Sequence, residues 1–244
     1  MEGAIPRMAT ASSQKMRPRG EVADSGNGAS LSQTAWEALR ADIISGKLAP
    51  NARLRIARLR QTYGIGASPL REALSRLVAD GFVVSMDRRG FMVAPISLKD
   101  FRDLTDLRKL LEKEALRLSI RNGDDAWEAA VIGACHRLSK AQARLSARDP
   151  AGFEEWERLN REFHETLVAA CPSGWILRFR RSVYDYAERY RRLCLSLTTV
   201  PRDVQKEHHQ LRDAALARDV EGAQAVMDDH LERTYRKVEL SKKL

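Results

Sequence analysis

Residues 63–83 read YGIGASPLREALSRLVADGFV, two glycines two positions apart running straight into an amphipathic stretch. Such a start fits either a loop that cradles the phosphates of a nucleotide or the turn before a helix that meets a different polyphosphate. A dinucleotide turn needs GxGxxG after a buried strand, because the third glycine lets helix and sheet pack closely. Here the third position is Pro69, and the preceding RIARLRQTYG is too polar and charged for a buried parallel strand. The helix reading needs only what is present. Ser68 can cap a helix, Pro69 falls at its first position where a missing N–H costs nothing, and Leu70, Ala73, Leu74, Leu77 and Val78 form an apolar face. The opposite face carries Ser68, Arg71, Glu72, Ser75 and Arg76, and Gly81 ends the element. Arg71, one turn in, suits a contact to guanine or to a phosphate. The plainer account of this face is a solvated surface with Arg76 pairing Glu72 at i, i+4.

The flanks complete a pattern. From Leu31 to Ile44, Ala35, Leu39 and Ile43 or Ile44 recur at helical spacing and Gly46 closes the element, while IARLRQTY forms a second short helix stopped by Gly64. After the 63–83 segment, FVVSMDRRGFMVAP alternates into two short strands joined around DRRG. Three helices followed by a basic hairpin make a winged helix-turn-helix. Pro95 stops this unit and Ser97 can cap the next, so the spacing predicts a DNA-binding domain over 31–97 and a second domain over 98–244. Residues 1–30, small and polar, are expected to form a disordered arm. Charge follows the same division. Residues 31–97 hold ten Lys or Arg against five Asp or Glu, a net of +5, whereas residues 98–244 hold 28 against 25, a net of +3 over twice the length.

Composition narrows the class. The chain has 244 residues, 43% hydrophobic and 31% charged, with few aromatic residues, which favours helices and permits a buried core. Three cysteines, with no CxxC pair, argue against a disulfide framework and for a reducing compartment. No apolar run approaches a membrane span and the N-terminal stretch has no hydrophobic signal core, so a cytoplasmic protein without a membrane partner is expected.

Beyond Ser97 the chain offers about six long amphipathic segments punctuated by RNGDD, ARDP, CPSGW, LTTVPRD and ARDVEG. The fold class is therefore mainly α: an N-terminal winged helix-turn-helix followed by an antiparallel all-α helical bundle, an architecture that places sites in its core. All five histidines lie here. His164 shares a face with Asn160, Leu167, Val168 and Cys171; His208 with Val204, Leu211 and Ala215; His230 with Ala223, Val226 and Thr234. His209 faces the polar side and His136 lies off its apolar stripe. Three inward histidines on three helices suit either a packed core or a metal site, and the sequence leaves both open. Arg108 sits in the stripe Leu104, Leu111, Ala115, where a guanidinium needs a partner: Glu112 at i+4, or the carboxylate of a bound effector. Catalytic motifs fail. HETLV at 164–168 lacks the second histidine of HExxH because Val168 holds its place, and Glu-x-x-His is broken by Arg161, Gln205 and Met227.

These residues carry a resemblance. The run from LRADIISGKLAPNARL through YGIGASPLREALSRLVADGFV to DRRGFMVAP resembles the DNA-binding domain of the GntR family of bacterial transcription regulators, with SPLREAL and the Arg-Gly wing as its signature. The resemblance implies that Ser68, Pro69 and Arg71 start the recognition helix, Gly66 and Ala67 form the turn before it, and Arg89 and Gly90 occupy the wing tip. Family members commonly carry Ser-Arg-Thr where this chain has Gly66, Ala67 and Ser68, so an expected DNA-contacting arginine is missing; Arg53, Arg55 and Arg58 are candidates for phosphate contacts. DLRKLLEKEA, LNREFHETLVAAC and KEHHQLRDAALARDVEGAQAVMDDHL resemble the FCD effector domain of the FadR subfamily. That implies a divalent metal, zinc or nickel, held by Asn160, His164, His208 and His230, with Arg108 binding a small carboxylate effector. The function expected is a homodimeric, ligand-responsive regulator of double-stranded operator DNA. A metal-dependent enzyme fused to a nucleic-acid-binding head is the rival reading, and a nonspecific architectural DNA binder a third.

Overall fold

The computed structural model describes residues 30–86, 90–145, 150–195 and 203–241. The head contains α1 (Leu31–Ile44), β1 (Arg53–Leu54), α2 (Ile56–Tyr63), α3 (Ala67–Ala79), β2 (Val83–Met86) and β3 (Gly90–Val93). Ser30 caps α1 through its side chain, and the left-handed Gly64 ends α2. Leu39, Ile43, Leu70, Leu74 and Leu77 interlock with Phe82, Val83 and Val93 in one core. The wing is a three-stranded antiparallel sheet in the order β1-β3-β2, with Val83 opposite Val93, Met86 opposite Gly90 and Arg53 opposite Met92. Its hairpin agrees with the alternation in FVVSMDRRGFMVAP. Strand β1 is an addition, and its two residues are too short to leave a period.

The start of α3 corrects one expectation. The helix begins at Ala67, with Gly66 as the N-cap and no side-chain capping bond, so Ser68 and Pro69 are its second and third residues. Proline is still accommodated, since first-turn N–H groups have no intrahelical partner to lose. Of the arm expected over residues 1–30, Ser30 is described and caps α1, whereas residues 1–29, like Arg89, lie outside the described residues.

Six helices follow: α4 (Leu98–Asn122), α5 (Asp125–Arg144), α6 (Pro150–Leu167), α7 (Gly174–Leu195), α8 (Val204–Leu216) and α9 (Val220–Leu240). Ser97, Asp124, Asp203 and Asp219 cap α4, α5, α8 and α9 through their side chains, each such cap contributing about 1 kcal/mol. Neighbours run antiparallel, as their contacts show. Phe101 stacks on Tyr190 while Glu112 meets Arg180, so α4 and α7 descend past each other; Arg102 and Lys109 of α4 reach Glu232 of α9. The core is built from Leu116, Ile120, Val131, Leu138, Phe163, Leu167, Leu211 and Met227. The head rests on α7, where Phe82 stacks on Tyr186 at 4.4 Å between centroids. Among the described residues no helix is long and apolar enough to cross a membrane.

Candidate functional site

The stripes that place His164 on α6, His208 on α8 and His230 on α9 converge. All three side chains are buried, and their ligand nitrogens lie within 4.8 Å of one another. The ring centroids are 5.4 Å apart for His164 and His208, 5.1 Å for His164 and His230, and 5.2 Å for His208 and His230. Among the described residues neither ring nitrogen of His164 has a hydrogen-bond partner, an expensive condition for a buried polar group. Burial first, then His230, His208 and the nearby Arg108 and Arg180, hold the His164 pKa well below the usual histidine value. Its imidazole is therefore neutral at physiological pH, with a lone pair available. His230 Nδ1 lies 2.8 Å from Glu207 Oε2; a carboxylate accepts, so Nδ1 carries the proton, and in the neutral ring Nε2 is the atom that can take a metal. Asn160 is buried one turn before His164 and donates Nδ2 to the Tyr184 hydroxyl at 3.1 Å.

A cavity of about 180 Å³ opens beside this cluster, lined by Arg108, Trp156, Asn160, His164, His230 and Thr234 among others. Its electrostatics favour an anion. Arg108, 4% exposed, and buried Arg180 share one carboxylate: Arg108 Nε lies 3.3 Å from Glu112 Oε1 and Arg180 Nε lies 2.7 Å from Oε2. Of the two partners expected for Arg108, the structure shows Glu112. Its Nε takes Glu112, while its two terminal nitrogens make no hydrogen bond among the described residues. Burial, reinforced by Arg191 and Arg180 against the pull of Glu112, lowers the Arg108 pKa. Arg191, also on the cavity wall, bonds Glu157 at 2.9 Å. Burial works against its charge, but Glu157, Tyr184 and Glu188 raise its pKa all the same. The Tyr184 ring stands among these cations, with Arg108 at 4.5 Å, Arg161 at 4.8 Å and Arg191 at 5.0 Å from its centroid.

Glu112 stands where the i+4 spacing from Arg108 put it; Tyr184, Arg180, Arg191 and Glu207 are site residues that no expectation from the sequence named. A signal for three of them exists: Arg180, Tyr184, Ala187 and Arg191 repeat at four, three and four residues, the buried stripe of α7, with arginines standing where leucines are usual. Glu207 precedes His208 without any periodic cue. His136 is exposed, and His209 lies 2.9 Å from the Ser139 hydroxyl, away from the cluster.

A second surface lies on the head. Arg71 is exposed on α3 and forms no ion pair among the described residues. Arg76 departs from its expected pairing with Glu72: it bonds Gln33 at 2.9 Å and stacks over Trp36 at 4.8 Å, because the ring of α1 offers a flat face where Glu72 offers only a solvated carboxylate. Arg53, Arg55 and Arg58, all exposed, line one shallow hollow with Gln61. Gly66, with no side-chain capping bond, leaves the N–H groups at the start of α3 open. Gly90 opens β3 with φ of 93°, a left-handed conformation that favours glycine at the end of the hairpin turn.

Residues 31–93 match the family model of bacterial regulatory proteins, gntR family, and residues 103–233 match the FCD domain. The chain is 47% identical over 204 residues to the HTH-type transcriptional regulator BphR of Paraburkholderia xenovorans, covering 83% of each. It belongs to the GntR family. This GntR protein, with its FCD domain, is a DNA-binding transcription regulator. It is also 36% identical over 206 residues to the HTH-type transcriptional repressor GlaR of Escherichia coli, covering 83% of this chain and 92% of GlaR. Among solved structures, McbR/YncC of E. coli superposes with a TM-score of 0.73 at 20% identity, covering 87% of this chain and 99% of that one, a likeness of fold.

Proposed function

We propose that this GntR regulator senses a small carboxylate, held with a divalent metal in the core of its FCD bundle, and adjusts its affinity for operator DNA accordingly. The observation that carries the reading is the convergence of three buried histidines beside Arg108. The donors fit a borderline divalent ion such as zinc or nickel: His164 with both ring nitrogens unpartnered, His230 oriented by Glu207, His208, and the Asn160 amide oxygen left over after Nδ2 binds Tyr184. With neutral imidazoles and an amide as donors, the set would leave a bound divalent ion its full positive charge, which would attract an acid. The chain's own part is to orient that acid. Arg108 directs two free guanidinium nitrogens for a carboxylate, and Tyr184 braces the cations around it.

On the head, Arg71 reads a base edge in the major groove, while the hollow of Arg53, Arg55 and Arg58 and the start of α3, from Gly66 through Ala67, Ser68 and Pro69, bind phosphates. Arg89, next to Gly90 in the sequence, is the wing's candidate for a minor-groove contact. Two copies reading half-sites roughly 34–36 Å apart make the operator palindromic. Leu110, 66% exposed, and Leu107 on α4, with Trp175, also 66% exposed, and Phe179 on the adjacent α7, support a homodimer through this bundle surface.

Incubation of the metal-loaded protein with a panel of small carboxylic acids separates regulator from enzyme. Altered operator binding with each acid recovered intact supports the regulator. Steady product formation contradicts it.

A further inference from the structure

Among the described residues four arginines of the bundle are buried, and three of them have a carboxylate: Arg108 and Arg180 share Glu112, and Arg191 has Glu157. The fourth, Arg189 on α7, is 3% exposed and forms no ion pair among the described residues. Among the described residues its single hydrogen bond runs from Nη2 to the Ala94 carbonyl, and its buried Nε has no partner. A buried guanidinium left in this condition is costly, and such groups are ordinarily paired with an anion. Burial accordingly lowers its pKa.

Arg189 lines a second cavity, of about 560 Å³, between the head and the bundle and remote in makeup from the histidine cluster. That volume lies in the range of small-molecule sites. Its other walls are Pro95, Ile96, Leu104, Tyr186 and Tyr190, an apolar and aromatic lining. Asp100 also faces the cavity, but its carboxylate accepts the Tyr190 hydroxyl at 2.6 Å and gives Arg189 no ion pair. We propose that this junction is a second ligand site, taking a small monocarboxylate with an apolar or aromatic body, its carboxylate on Arg189 and its body against Tyr186 and Leu104. The repulsion of Asp100 favours one negative charge over two. The lining also says what such a ligand touches. Ala94 to Ser97 is the segment joining head to bundle, and Gly81 follows the recognition helix so closely that an added Cβ would lie 2.8 Å from the Tyr186 hydroxyl. An acid bound here competes with the Ala94 carbonyl for Arg189 and so acts on the orientation of the head directly.

The site is independent of the histidine cluster, and one probe distinguishes them. The full-length protein is crystallised with 4-bromobenzoate and the bromine located by its anomalous signal. The expected result is a bromine in the junction with the carboxylate on Arg189, present alike in wild type and in Arg108→Ala. In solution, Arg189→Met should weaken 4-bromobenzoate binding at least about tenfold, as loss of a charge-assisted pair requires. Should that variant fold poorly, Leu104→Trp fills the cavity from the opposite wall, keeps Arg189, and must also remove the bromine. Bromine found only beside the histidines, a junction filled by a second copy of the chain, or unchanged binding in both variants would overturn the proposal.

Discussion

Asp185 of α7 pairs with Arg40 of α1 across the junction between bundle and head, and its other oxygen takes Arg161 of α6 at 2.6 Å. Arg161 follows Asn160 directly in the chain and lies over Tyr184, the ring that also faces Arg108. Arg40 in turn stands over Phe82, 5.3 Å from its centroid, at the end of the recognition unit. One buried carboxylate thus joins the helix of the histidine cluster to the DNA-reading head. Asp185→Asn should leave metal content unchanged and reduce the coupling between acid and operator by roughly 0.5–2 kcal/mol. Operator affinities with and without the responsive acid measure it; full coupling in the variant would remove Asp185 from the route.

With Arg76 tied to Gln33 and Trp36, Arg71 alone on the exposed face of α3 is free for a base. Arg71→Ala is expected to cost about 1–3 kcal/mol of operator affinity and to relax discrimination at one base position. Arg58→Ala should instead weaken all sequences about equally and lower the salt dependence by roughly one counterion. Fluorescence anisotropy on matched and substituted operators, at several salt concentrations, tells the two effects apart.

The uncharged donor set has a consequence that substitution exposes. Asn160→Asp adds a negative ligand, so metal should be retained more tightly against a competing chelator while the acid binds more weakly. His164→Ala should lose the metal outright. Elemental analysis after dialysis and calorimetric titration of the acid give both readings, and tighter acid binding in Asn160→Asp would contradict the charge argument.

Glu232 links α9 to α4 through Arg102 at 2.8 Å and Lys109 at 2.9 Å. The Arg102 hydrogen bond foremost, then Lys109 against some burial, brings its pKa from the ordinary 4.5 down to about 2. A depressed carboxylate stabilises the fold above its unfolded pKa, and that share disappears as pH falls from about 4.5 toward 2. Glu232→Gln should therefore be less stable than wild type at pH 7 in denaturant titrations. The difference should narrow below pH 4.5 and vanish near pH 2.

The sequence made legible whatever rests on a period. The stripe Leu70, Ala73, Leu74 and Leu77 announced α3, and the stripes through His164, His208 and His230 announced that these rings point inward. Local preference misled at the start of α3, where Ser68 and Pro69 favour cap and first positions and the backbone began the helix two residues earlier, at Ala67 after Gly66. Arg76 escaped because its partners Gln33 and Trp36 are more than 35 residues away, whereas the competing Glu72 is local. The Arg108–Glu112 pair was visible as an i, i+4 spacing, whereas the second pairing of Glu112, with Arg180, and that of Glu207 with His230 cross between helices, which no one-dimensional spacing displays. Tyr184 and Arg191 were readable in principle, from a buried stripe that contains arginines.

Under the proposed function an acid and a metal in the bundle control the grip of the head on DNA. Anisotropy titration of labelled operator with the metal-loaded protein, against a panel of small carboxylates, tests it in one experiment when wild type is run beside Arg108→Ala. At least one acid should shift the operator Kd by roughly 5–150-fold, and the shift should disappear both in Arg108→Ala and after removal of metal by chelation. An operator affinity that no acid changes, or a shift that survives intact in Arg108→Ala and after chelation, would contradict the account.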